Sequence, residues 1–71
     1  MVKNVFGKRL KELRTQSGLT QAKLAQAVSL HQTSISFWEL GTREEPNMSS
    51  LISLADYFDV SIDYLVGRKE Y

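Results

Sequence analysis

From Phe6 to Leu65 the apolar residues of this chain recur three and four positions apart, and no stretch shows the strict alternation of a half-buried strand. The expectation is an all-helical fold. Phe6, Leu10 and Leu13 form one stripe, with Lys8, Arg9, Lys11 and Glu12 outside it. Asn4 as N-cap and Gly18 as a left-handed stop bound a helix over roughly 5–16. Thr20 caps a second segment whose inward residues are Leu24, Ala25 and Val28. Lys23 there stands where a capping box would carry Glu or Gln. Ser29-Leu30-His31 interrupts the period. A third segment runs from about Gln32 to Leu40, with Ile35 and Trp38 inward and Gly41 as its stop. Its outer residues, Gln32, Thr33, Ser36 and Phe37, carry no charge, which is odd for a plain solvent face. Past the turn-rich Thr42–Pro46 stretch, Asn47 caps a fourth segment with Leu51, Leu54, Ala55 and Phe58 in register. Ser61 caps a short fifth segment. Val60 and Leu65 hold its hydrophobic-staple positions, and Gly67 ends it. The glycines thus read as helix stops. The expected organisation is a compact bundle of five short helices in one domain over 1–71, without internal repeat or linker.

Size and composition exclude much else. A chain of 71 residues buries only ~60% of the surface its unfolded form exposes, which leaves no room for a second core or a large catalytic cleft. The absence of cysteine removes disulfides, Cys-type zinc sites and a thiol nucleophile together. With one histidine, His31, no metal site has support, and the serines have no plausible triad; no catalytic residue and no cofactor is expected. Apolar runs reach only two or three residues, so no membrane span is expected. The start of the chain lacks the apolar region of a secretory signal, so the expectation is a soluble cytoplasmic domain. No effector pocket is legible. Asp56, Asp59 and Asp63 read as solvated, and Tyr57, Phe58, Tyr64 and Tyr71 as packing or self-association residues.

Charge is unevenly spread. Residues 1–43 carry seven basic side chains against Glu12 and Glu39, a balance of +5, and residues 44–71 carry −4. Either the basic half faces something anionic, or both halves are ordinary solvated helix faces.

Residues 20–41 hold the informative unit. Two helices of about two turns joined by a three-residue break suit a steep crossing, the helix-turn-helix arrangement. Its first helix braces against a DNA backbone, and its second enters the major groove N-terminus first. Gln21 would open the bracing helix, and Gln32 and Thr33 the reading helix. Gln suits adenine, and Thr33 and Phe37 have apolar groups for a thymine methyl. Lys8, Arg9, Lys11 and Arg43 are reasonable phosphate neighbours.

Arg14-x-x-x-Gly18-Leu19-Thr20-Gln21-x-x-Leu24-Ala25, then Ser34-Ile35-Ser36-x-Trp38-Glu39-x-Gly41 and Pro46, resembles the Cro/phage-repressor (XRE) family. Leu51-x-x-Leu54-Ala55 and Val60-Ser61-Ile62-Asp63-Tyr64-Leu65-Val66-Gly67 resemble the last two helices of that five-helix, lambda-repressor-like fold. The resemblance implies a DNA-binding transcriptional repressor from a bacterium or phage. It implies base-facing roles for Gln32, Thr33 and Phe37, and backbone or positioning roles for Gln21, Ser36, Leu40, Thr42, Arg43 and Lys8. Gln21 would touch a phosphate and brace the first reading residue. Arg14 and Glu39 would form a buried ion pair. A homodimer on a roughly palindromic operator follows, with helix five and the tail through Tyr71 as its seam. The chain departs from the family pattern at five places, one of them a loop after Gly41 that is one residue longer than the usual form. Ser29 stands where Gly is usual in the turn, which strains the backbone if φ is positive. His31 replaces a Ser or Thr cap, Phe37 a residue commonly polar or basic, and Leu40 an Asn that touches phosphate. Phe37 and Leu40, three apart, could alternatively offer an apolar spot to a protein partner, as in an antitoxin-like or accessory regulator.

Overall fold

Five helices form close to where the periodicity places them: α1 Lys3–Gln16, α2 Gln21–Val28, α3 Gln32–Leu40, α4 Met48–Phe58 and α5 Ile62–Leu65. The computed structural model describes residues 3–41 and 45–70, and these contain only helices and turns. The expectations for Thr42, Arg43 and Tyr71 lie outside the described residues. One boundary moves. Asn4 falls inside α1, which already begins at Lys3, and not ahead of it.

Three of the connections are one turn used three times. In each, a residue in the left-handed conformation is followed by an apolar residue and then by the N-cap of the next helix. The three copies are Gly18-Leu19-Thr20, Ser29-Leu30-His31 and Asp59-Val60-Ser61. The apolar residue's N–H reaches back five positions each time: Leu19 to the Arg14 carbonyl at 3.1 Å, Leu30 to Ala25 at 2.9 Å and Val60 to Ala55 at 3.0 Å. The left-handed residue's N–H bonds three positions back, completing the Schellman pattern that satisfies the last carbonyls of a helix. The recurrence leaves no repeat in the sequence, because the turn fixes dihedral angles and apolarity and not residue identity.

The copies are not equally well made. Gly18 adopts φ 72° without cost, whereas Ser29 at 58° and Asp59 at 57° carry a Cβ into the left-handed region, where Asp is the better tolerated. Thr20 accepts from the Lys23 N–H at 3.1 Å and Ser61 from Tyr64 at 2.9 Å, but His31 makes no side-chain cap bond. The turn in front of α3 is therefore the least favourable of the three.

Phe6, Leu10, Leu24, Ile35, Leu54 and Leu65 are fully buried, joined by Ala25, Trp38, Leu51 and Ala55. Truncating one of the leucines to alanine costs about 2–5 kcal/mol. α1 packs against α3 and α5, α2 against α3 and α4, and α4 against α5. The Phe6 ring meets the Trp38 ring edge-on at 5.8 Å. Gly7 departs from the expectation that glycines mark helix ends. It lies in the second turn of α1, and a Cβ there would fall deep inside contact with the Trp38 carbonyl oxygen. The missing side chain is what lets α1 lie directly on the backbone of α3.

Candidate functional site

α3 divides cleanly. Ile35 and Trp38 enter the core, 0% and 4% exposed, and fix the helix from behind. Gln32, Thr33, Ser36, Phe37 and Leu40 stand at i, i+1, i+4, i+5 and i+8, which is one face of a helix. All but the half-buried Ser36 are exposed; Phe37 is 41% and Leu40 73% exposed. The structure thus brings together, on one strip, the five α3 residues singled out in the sequence. An amide, two hydroxyls, a phenyl and an isobutyl group offer hydrogen bonds and apolar contact but no net charge.

The buried side of α3 is anchored by charge. Arg14 Nε donates to Glu39 Oε2 at 2.7 Å and Nη2 to Oε1 at 3.0 Å, with the two side chains only 12% and 4% exposed. Such a fork fixes direction as well as distance. The hydrogen bonds to Glu39 raise the Arg14 guanidinium further above its ordinary, already strongly basic value, against the opposing effect of burial. Its remaining nitrogen, Nη1, donates to the Leu19 carbonyl at 2.8 Å, just ahead of the Thr20 cap. Gln21, the first residue of α2, adds its amide Nε2 to Glu39 Oε1 at 3.1 Å. The Arg14–Glu39 pair therefore fastens α1, the α1–α2 turn, α2 and α3. The contact that holds Gln21 lies seven residues along α3 from Gln32, the residue it was expected to brace.

Lys8 and Lys11 on α1 and Lys23 on α2 are exposed, while Glu45 ahead of α4, and Asp56, Asp59 and Glu70 on or after it, are exposed acids. Arg9 does not join that basic surface. Its Nη1 donates to the Tyr64 carbonyl at 2.5 Å and the Lys69 carbonyl at 2.7 Å, Nη2 lies 3.6 Å from Glu70, and the guanidinium sits 4.3 Å from the Tyr64 ring centroid. It closes the C-terminal end of α5 and ties the following segment to α1, so its guanidinium is engaged within the chain. Sequence reading missed this because the partners lie 55 and 60 residues away. Tyr64 is accordingly a cation–π platform, and Tyr57 is exposed, with Phe58 edge-on at 5.1 Å.

A concavity of about 420 Å³ opens between α1 and α5, lined by Leu13, Asp59, Val60, Ser61, Asp63, Tyr64 and Lys69. It contains no residue of α2 or α3. No helix among the described residues is long and apolar enough to cross a membrane.

A helix-turn-helix family model matches residues 10–65. The chain is 42% identical over 65 residues to the HTH-type transcriptional activator BcrR of Enterococcus faecalis, covering 92% of this chain and 31% of that protein. It is 38% identical over 65 residues to the HTH-type transcriptional regulator ImmR of Bacillus subtilis (strain 168), covering 92% and 50%. A third relative from the same strain, the uncharacterized HTH-type transcriptional regulator YqaE, is 37% identical over 62 residues, covering 87% and 53%. The chain spans about a third to a half of the length of these curated relatives.

Proposed function

The chain belongs to the helix-turn-helix family of the Cro/phage-repressor (XRE) type, and on that premise we propose that it binds double-stranded DNA sequence-specifically and acts as a transcriptional repressor. The observation that carries this reading is the exposed strip of α3. A helix with side chains is ~10–12 Å across and the major groove ~12 Å wide, so α3 fits with Gln32 and Thr33 leading. A bidentate Gln32–adenine contact contributes ~1–3 kcal/mol of discrimination, and Thr33 and Phe37 meet thymine methyl groups. Ser36, Leu40, Lys8 and Gln21 lie towards the backbone, with Thr42 and Arg43 continuing that set. Repression needs only occupancy of the operator and no additional surface. One module touches little DNA, so the binding unit is a homodimer whose two α3 helices are ~34 Å apart on a roughly palindromic site, in the cytoplasm.

Selection of bound sites from random duplexes, followed by gel retardation across a salt series, tests this. Affinity should fall steeply with salt, and Gln32→Ala should relax one base position. Failure to retard any duplex at low salt, with helical circular dichroism intact, refutes DNA binding. That outcome would favour a second reading, supported by the exposure of Leu40 and Phe37, in which α3 docks a protein partner. A reporter behind the selected operator reads repression directly, since one relative is named an activator.

A further inference from the structure

Glu39 is buried, bound twice by Arg14, and also accepts from Gln21. An ionised carboxylate has no proton to give, so the contact settles which way the Gln21 amide faces: its NH2 end is turned towards Glu39. Nε2 carries two hydrogens. One goes to Glu39, and the other is left, with Oε1, at the first residue of α2. Gln21 is half-exposed there, and the N-terminus of an eight-residue helix favours an anion.

We propose that Glu39 is a positioning residue for DNA binding, fixing the Gln21 amide so that its second N–H is presented to a backbone phosphate. This rests on the DNA-binding reading above. Without Glu39 the amide can turn over and aim its carbonyl oxygen at the phosphate, which repels. Two signatures follow from the chemistry. A phosphate contact carries no sequence information, so its loss weakens all duplexes alike. Gln carries no charge and releases no counterion, so the salt slope stays unchanged.

The test uses the full chain and a duplex selected by it. Replacing the whole pair, Arg14→Met with Glu39→Met, removes both buried charges together and so avoids leaving one unpaired. The expected result is a loss of affinity of about tenfold, the scale of one hydrogen bond to a charged group, with the salt slope intact. Adding Gln21→Met should cost nothing further in that background, although it costs about tenfold in the wild type. Equal costs in both backgrounds overturn the proposal. A second readout needs no folded variant. In the NMR spectrum of the wild type, the Gln21 side-chain NH2 should be displaced from, and exchange more slowly than, those of the exposed Gln16 and Gln26. If it coincides with them, the proposal fails. If the wild type binds no duplex while the Gln21 resonances remain displaced, the DNA reading has failed and the Glu39–Gln21 bond has not.

Discussion

Replacing Gly7 with alanine tests the α1–α3 packing, because two effects of opposite sign compete there. In an exposed helix interior, Gly→Ala stabilises by ~1 kcal/mol. At Gly7 the new Cβ meets the Trp38 carbonyl oxygen well inside any contact distance, the Trp38 carbonyl carbon at 3.2 Å and the Glu39 Cα at 3.3 Å. All three are backbone atoms and cannot rotate aside. The same Trp38 carbonyl accepts the Gly41 N–H at 3.1 Å, which closes α3. Relief requires α1 to retreat by about 1 Å, enough to forfeit a quarter to a half of each dispersion contact across the face. Phe6 and Leu10, 2% and 0% exposed, are carried on the retreating helix. Overpacking of this kind costs ~1–3 kcal/mol before lost contacts are added. We expect Gly7→Ala to lower the unfolding free energy by about 2 kcal/mol, and the melting temperature by about 10 °C in a domain of this size. Urea unfolding followed by helical circular dichroism measures it. A variant as stable as the wild type, or more so, would refute the reasoning.

Ser29→Gly should raise stability by about 0.5–1 kcal/mol by removing a Cβ from the left-handed region, and Asp59→Gly by less. Denaturant midpoints decide this, and a loss at Ser29 contradicts the strain argument. Lys8→Ala should reduce the salt slope of DNA binding by about one, whereas Arg9→Ala should leave the slope alone and lower the melting temperature. Equal slope changes would return Arg9 to the phosphate-facing set. Because the folded state raises the pKa of Arg14, its contribution to stability is fully present below the unfolded value and lost only as pH climbs past the folded one. Unfolding free energy should therefore show no pH dependence arising from Arg14 between about pH 8 and 10. A decline there in the wild type that Arg14→Met abolishes would count against it.

The helices were legible because their signals are local. Thr20, Asn47 and Ser61 announce caps, Gly18 and Gly41 announce stops, and Leu24, Ile35 and Leu54 carry the stripe into the core. The exposed strip of α3 followed from the same periodicity. Interactions that depend on tertiary approach were not legible. Gly7 looks like a weak spot in a helix until the α3 backbone arrives beside it. Arg9 looks like any surface cation until the chain returns 55 residues later with two carbonyls and an aromatic face. The sequence puts Gln21 at a phosphate and against Gln32, but its bond to Glu39 depends on the approach of α2 to the far end of α3.

The thrice-used turn makes the chain its own parts store. Asp-Val-Ser at 59–61 and Gly-Leu-Thr at 18–20 trace the same path as Ser-Leu-His at 29–31, so either tripeptide can be spliced into the α2–α3 corner without rebuilding the helices around it. Such a transplant would stiffen the support of the leading edge of α3 while leaving Gln32 and Thr33 in place. It would turn rigidity at that corner into an adjustable parameter, independent of what the helix reads.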